Sequence, residues 1–193
     1  MKQLKMCRVM IGDIKTYELP FGYTVENYKS EEEKAAWIEC CRGGRLIDEN
    51  AGIKAFDSSI TAMKEIDPYK DVFFLKHNGV IVGTATGFVF DSGDGDLHMV
   101  GIRTDHRGKG LCKYLISAVL QKLHRDGVKR VFLTTDEFRV SAIKSYLTAG
   151  FLPVDCDTDM KERWKKVISD LCIKSVAMYD ADIVGSITLY ADQ

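Results

Sequence analysis

The nine residues Asp105-His106-Arg107-Gly108-Lys109-Gly110-Leu111-Cys112-Lys113 hold two glycines, two lysines and an arginine. An apolar repeat of helical period follows them directly. A helix start leaves backbone N–H groups unpaired at the positive end of the helix dipole, which suits an anion. Gly108 and Gly110 carry no Cβ, so a phosphate can approach the backbone closely. Arg107, Lys109 and Lys113 add positive charge. The turn is not a P-loop, because Gly-Lys-Gly lacks the Gly-Lys-Ser/Thr ending. It is not the dinucleotide fingerprint either, because the glycine spacing fails after Gly110. Ahead of it, His98 stands in the strand-like run Asp96 to Ile102, with a reference pKa suited to proton transfer. The bland alternative for His98 is a satisfied strand histidine. Asp91 to Asp96 (DSGDGD) is acidic but lacks calcium-loop spacing, so it reads as a solvated turn, and no metal site is expected.

These residues need elements to hold them. Leu111, Leu115, Val119 and Leu123 recur every four residues and predict a helix ended by Asp126-Gly127. Arg130 to Thr135 is the next strand, about 27 residues beyond the strand DLHMVGI. Such a βαβ unit makes its two strands parallel. Arg139 to Ala149 is a second helix, Gly150 lies past its end, and Phe151 to Val154 is a short strand. Upstream, Val72 to Lys76 and Val80 to Phe90 flank Asn78-Gly79, a hairpin signal, and Gly83, Ala85 and Gly87 make one strand face small. Gly22 to Tyr28 reads as the first strand. Ser30 and Glu33 suggest a capping box opening a helix through Cys41, and a helix over Ala55 to Ile66 is stopped by Pro68. The fold class is therefore α/β (α+β), a mixed central sheet flanked by helices.

The pattern changes after Val154. Met160, Trp164, Val167, Ile168 and Leu171 form a helical stripe, in which Trp164 reads as core. Two short strands follow, Ser175 to Tyr179 and Asp182 to Tyr190. Ile183 to Thr188 (IVGSIT) matches Ile81 to Thr86 (IVGTAT) at four of six positions, either as a generic hairpin or as the start of a truncated second module. Residues 1–155 are the expected main domain, and the helix to about 172 belongs either to it or to an extension over 156–193.

The bulk numbers are those of one globular domain: 193 residues, 46% hydrophobic, 28% charged. A net charge of −1 gives no general reason to expect nucleic acid or an anionic membrane as partner. No apolar run is long enough to span a bilayer, and the N-terminus is too short and too charged in its apolar stretch for a secretory signal. Six scattered cysteines without a C-x-x-C pair suit reduced thiols, so a cytoplasmic location is expected.

The sequence resembles the GNAT superfamily of acetyl-CoA-dependent N-acetyltransferases. Its pattern Arg/Gln-x-x-Gly-x-Gly/Ala is met by Arg107-x-x-Gly110-x-Cys112, with Cys112 in place of Gly or Ala. The Asn-Gly hairpin, DLHMVGI, the helix after the turn, RVFLTT and Ser141 through Phe151 fall in the superfamily's order, over roughly Gly22 to Val154. LTTDEFRVSAIKSYLTAGF is especially similar to uncharacterised bacterial members. The resemblance implies a V-shaped opening between the strands Asp96–Ile102 and Arg130–Thr135. Acetyl-CoA would place its pantetheine arm along Val100 and Ile102. Its pyrophosphate would sit on Gly108, Lys109, Gly110, Leu111, Cys112 and Lys113, and Arg139 stands where many members put an Asn against the arm. Tyr146 takes the position of the acid that protonates the leaving thiolate, the alternative being a ring packed in the core. His98 is the candidate base, with Asp96, Asp136 and Glu137 near the implied opening. Cys112 would lie under the pyrophosphate, away from the acetyl group, and so reads as structural. The expected reaction is acetyl transfer to a primary amine of a small molecule or peptide, by direct attack in a ternary complex. The alternative is a non-catalytic acyl-CoA-binding regulatory module. The terminal hairpin offers an edge strand to a second copy, so a homodimer is open.

Overall fold

In the computed structural model, which describes residues 2–191, the strand β1 (Leu4–Val9) comes before any element the sequence pattern marked. There follow β2 (Tyr23–Asn27), α1 (Glu33–Gly43), the single turn α2 (Lys54–Phe56) continued by a π-turn over Asp57–Thr61, and the single turn α3 (Pro68–Asp71). Then come β3 (Val72–His77), β4 (Val80–Val89), β5 (Gly95–Ile102), α4 (Cys112–Arg125), β6 (Arg130–Thr135) and α5 (Val140–Thr148). The chain ends in β7 (Leu152–Pro153), α6 (Met160–Asp170), β8 (Ser175–Tyr179) and β9 (Ser186–Tyr190). It divides into two compact units, Ile11–Lys129 and a second formed by the N-terminus through Met10 with everything from Arg130 onward.

The first unit is built on the antiparallel order β2-β3-β4-β5. Asn78 and Gly79 both take positive φ, 49° and 81°, which is the tight turn that joins β3 to β4. The small face of β4 carries α4. A Cβ on Gly83 would lie 2.5 Å from the Ile102 side chain and 3.1 Å from Leu115, and one on Gly87 would collide with Val119. The opposite face is covered by α1 and the π-turn, with Trp37, Phe56, Ile60, Phe74 and Phe88 in its core. Burial of such side chains contributes about 1.5–3 kcal/mol each and holds the layer together.

Three local expectations shift. The helix α1 begins at Glu33 with no side-chain cap, and the Glu33 carboxylate accepts from Lys29 N instead of completing a box with Ser30. The helix expected to reach Ile66 ends at Thr61, where Ala62 N bonds Asp57 O one residue wider than α geometry allows. Pro68 opens α3, capped by Asp67, whose carboxylate accepts from Tyr69 N.

Between α3 and α4 lies a buried ion pair. Lys122 Nζ sits 2.5 Å from Asp71 and 3.0 Å from Asp126, and donates to Gly87 O at 3.1 Å. Removing one partner of a buried pair leaves an uncompensated charge. Lys122→Met is therefore expected to destabilise the protein by about 3 kcal/mol, read as a lowered midpoint in urea unfolding. A midpoint within error of wild type would show the pair to be energetically neutral.

In the second unit β1 lies between β6 and β7, antiparallel to both, with Met6 opposite Leu133 on one side and Pro153 on the other. β6 and β7 thus run parallel, joined by α5, and the N-terminal strand fills the place between them. Arg8 donates to Ala149 O at the end of α5. Gly150 has φ 85°, and a Cβ there would collide with the Arg8 guanidinium, so both backbone and space require glycine. Four members of the expected α6 stripe are buried, Met160, Trp164, Val167 and Ile168, whereas Leu171 stands at the C-cap and is half-buried. β8 and β9 form their own antiparallel pair, tied to the end of β7 by a parallel bridge between Val154 and Tyr179. The echo of IVGTAT is one of letters only: Ile81 lies inside β4, whereas Ile183 occupies the hairpin turn with φ 60°.

Candidate active site

β5 carries a break in its pairing. His98 stands opposite Thr86 and Gly101 opposite Thr84, so Met99 and Val100 together face Ala85 alone. This is a β-bulge, and Met99 takes φ 52°, a conformation that costs an unbranched non-glycine residue on the order of 1 kcal/mol. The bulge interrupts the ladder to β4 and re-aims the backbone around Val100. Val100 and Ile102, the residues expected along the pantetheine arm, lie at and just after it.

The extra residue also changes which side chains share a face. His98 and Thr86 point toward the layer of α1, as does Gly101, where a Cβ would lie 2.7 Å from Cys40 O. Ile102 pairs with Gly83 on the α4 side. The bulge therefore shifts the alternation by one between His98 and Gly101, so His98 and Ile102 lie on opposite faces of β5. Nothing in Met99-Val100 announced it, since no glycine marks the left-handed position.

After β5 the chain makes one 3-10 turn at Thr104–His106 and enters the glycine turn. Gly108 and Gly110 have φ 73° and 65°, and a Cβ at either would meet no atom within 4 Å. The amides here open to solvent at the start of a helix of 14 residues that no side chain caps. Donors at the positive end of that dipole are what a pyrophosphate needs, so the turn fits the group that the sequence implied. Arg107 bends back and donates from Nε to Ile102 O at 3.2 Å, bracing the turn on the end of β5. Lys109 and Lys113 are exposed, and Lys113 Nζ lies 4.9 Å from the Tyr114 ring centre and 5.2 Å from that of Tyr17. Burial pushes the Cys112 thiol up, outweighing the opposite pull of the helix start and Arg107, so it stays protonated.

A second cluster braces the turn. Tyr23 stacks on His77 at 4.4 Å, and its hydroxyl lies 3.4 Å from His106 Nδ1. Burial and then Lys109 hold His106 below its usual pKa, so it is neutral at pH 7. Sequence reasoning missed this group because its members come from three separate stretches with no shared pattern.

His98 is held low by burial, while the Ser59 carbonyl of the π-turn favours its protonated form. Its Nε2 is buried with no partner among the described residues, as is Oγ1 of Thr86 opposite it. A neutral imidazole with a lone pair inside the fold has the chemistry of a proton acceptor.

The remaining candidates belong to the second unit. Tyr146, on α5, is 8% exposed, with its ring 6.2 Å from Phe151 in edge-on contact. Arg139 precedes α5 and pairs with Asp136 at 3.0 Å, and Asp136 also accepts from Gln3 at 3.1 Å. The Asp136 side chain does not cap α5. Glu137 is taken by Arg163 at 2.5 Å. Two of the alternative carboxylates are thus engaged in ion pairs, and His98 is the candidate with a buried, unpartnered ring nitrogen.

Known proteins resemble this chain in sequence and in fold. The chain is 27% identical over 142 residues to a mycothiol acetyltransferase of Geodermatophilus obscurus, covering 69% of this chain and 46% of that protein. It is 29% identical over 103 residues to an acetyltransferase of Pectobacterium atrosepticum, covering 53% of this chain and 72% of that one. The chain spans about half the length of the mycothiol acetyltransferases it matches. Among solved structures, a GCN5-related N-acetyltransferase from Sphaerobacter thermophilus superposes with TM-score 0.63 at 23% identity, covering 78% of this chain and 47% of that one. A second, from Kribbella flavida, gives 0.56 at 22%, covering 78% and 54%. They share the fold, a mixed sheet with flanking helices. Residues 16–151, which contain the bulged strand, the glycine turn and Tyr146, match the acetyltransferase (GNAT) family, and the chain belongs to it.

Proposed function

We propose that this protein is an acetyl-CoA-dependent N-acetyltransferase that acts on a primary amine of a small molecule or peptide, by direct attack in a ternary complex. The observation that carries the reading is the uncapped, open start of α4 behind Gly108 and Gly110, following a bulged β5. Bound acetyl-CoA supplies an already activated thioester, so the protein's work is mostly alignment, polarisation and proton handling.

The amides from Gly108 to Lys113 hold the pyrophosphate, with Lys109 and Lys113 adding charge from the rim. The re-aimed backbone at Val100 and Ile102 takes the pantetheine arm, and the Val100 N–H donates to the carbonyl oxygen under attack. Arg139, in the place where many family members put an Asn, is the residue for the arm's further contact. His98 accepts the proton that the amine must lose, and Tyr146 donates one to the departing sulfur. His98 is supported by a pKa held below the ordinary histidine value and by its unpartnered Nε2. The family match over 16–151 supports a catalytic domain within residues 1–155, with 156–193 as an extension. Six free cysteines fit a cytoplasmic setting. No described helix is long and apolar enough to cross a membrane.

The test is incubation with acetyl-CoA and a panel of amines that includes a mycothiol-type acceptor. Thermal stabilisation by acetyl-CoA and release of thiol with at least one amine are expected. Stabilisation without thiol release for any amine would support a binding module instead, and no stabilisation by any CoA species would overturn both.

A further inference from the structure

A cleft of about 150 Å³ runs along the flank of α4, between Tyr114, Ser117 and Gln121 on the helix and Tyr17, Leu19 and Val25 at and before β2. The three helix residues stand at spacings of three and four, so they share one face beside the stripe that packs on the sheet. The far wall is fixed to the helix. Ser117, which is buried, donates to Lys15 O at 2.7 Å, and Gln121 Nε2 donates to Ser117 Oγ at 2.9 Å. The Tyr17 and Tyr114 rings meet edge-on, with centres 6.1 Å apart.

Two ammonium groups gather at the rings. Lys15 Nζ lies 5.1 Å from the Tyr17 ring centre and Lys113 Nζ 5.2 Å from the same centre. Each is attracted by the ring, but the two charges repel one another. Among the described residues neither lysine has a carboxylate at ion-pair distance. An anion between them would relieve that repulsion. The size of the cleft narrows what could carry the anion. A cavity of about 150 Å³ admits a single benzene-sized ring. Larger ligands need roughly 300 Å³ or more. The cleft also leads away from the glycine turn, since Ser117 and Gln121 stand about 6 and 12 Å beyond Lys113 along the helix axis.

We propose that this cleft binds a small monocyclic aromatic anion of the benzoate class, at a site separate from that of the coenzyme. The ring of the ligand packs against Tyr17 and Tyr114, with Leu19 and Val25 as the apolar floor. Its carboxylate lies between Lys15 and Lys113. The site goes beyond acetyl transfer and stands whether or not the protein turns over an amine.

The experiment is titration of the full chain with sodium benzoate, followed by 1H–15N amide shifts. Benzamide serves as the neutral analogue and cyclohexanecarboxylate as the aliphatic one. Saturable shifts at Tyr17, Ser117 and Gln121 are expected. Benzamide should bind about tenfold more weakly and cyclohexanecarboxylate about fivefold more weakly. Tyr17→Leu keeps apolar bulk but removes the ring, and should weaken benzoate about fivefold while leaving acetyl-CoA affinity unchanged. Ala118→Leu places a larger side chain in the cleft and should abolish benzoate binding. Thermal unfolding checks that both variants fold, and Tyr17→Leu decides alone if the other does not. Benzamide binding as tightly as benzoate, or Tyr17→Leu binding benzoate like wild type, would overturn the proposal. So would shifts confined to Gly108–Lys113, which would place the anion on the glycine turn instead. A final titration at saturating acetyl-CoA separates the two sites. Benzoate binding that persists supports a distinct site, and displacement in proportion to acetyl-CoA would give the cleft to the coenzyme and overturn it. Failure of acetyl-CoA to bind at all would sink the transferase reading while leaving the benzoate titration to decide the cleft.

Discussion

Gly110→Asp is expected to abolish acetyl-CoA binding, with affinity lowered at least about 100-fold, while leaving the protein folded. The site is open: a Cβ at Gly110 meets no atom within 4 Å, so nothing must move to admit the side chain. The backbone stays at φ 65°, which Asp tolerates better than most residues, at a strain of about 1 kcal/mol. The carboxylate then sits at the positive end of α4, where an anionic side chain is itself favourable. That is why folding survives and binding does not. The new carboxylate competes for the amides intended for the pyrophosphate and repels it. Each charge-assisted hydrogen bond lost is worth about 1.5–3 kcal/mol, and one or two of them account for the loss. Gly110→Ala separates the causes, since it adds the strain without the charge and should weaken binding by no more than about tenfold. Isothermal titration with acetyl-CoA, alongside thermal unfolding of the free variants, reads both quantities. A Gly110→Asp protein that binds within tenfold of wild type would remove the turn as the phosphate site.

The turn could be read from sequence because everything that makes it is local: two glycines, a following period of four, and a strand before it. The β3–β4 hairpin was legible for the same reason, with Asn78-Gly79 setting positive φ at both positions. The features that were missed are those that only tertiary structure decides. β1 is six residues of LKMCRV with two charges among them, and it becomes a strand because β6 and β7 leave a place for it. The bulge at Met99 and Val100 has no glycine to mark it, yet it decides which layer His98 faces. The π-turn at Asp57 looked like the middle of an ordinary helix, because one residue of widening leaves the apolar period of Phe56 and Ile60 intact. Two of these three lie beside His98. The backbone of the glycine turn was thus visible in the chain, whereas the environment of the proposed base was not.

Tyr146→Phe is expected to lower kcat by about 100-fold while leaving acetyl-CoA affinity unchanged, within the usual range for loss of a general acid. The two readings of Tyr146, acid or packed ring, make opposite claims about this variant. Its ring is buried against Phe151, and phenylalanine keeps that contact, so stability should change by no more than about 1 kcal/mol. If packing were its whole role, the variant would turn over like wild type. If the hydroxyl protonates the departing sulfur, only the chemical step suffers. A phenol near pKa 10 giving a proton to a thiolate of conjugate pKa near 8.5 is uphill by about 2 kcal/mol at reference values. Donation must therefore accompany cleavage of the carbon–sulfur bond, when the sulfur is gaining charge. The penalty in Tyr146→Phe should accordingly shrink for an acetyl thioester whose thiol is more acidic, since a better leaving group needs less help. Single-turnover rates with the two donors, read beside the affinity for acetyl-CoA, measure this. Equal rates for wild type and variant with acetyl-CoA would assign Tyr146 to the core alone, and equal losses with both donors would place its effect outside the protonation of the sulfur.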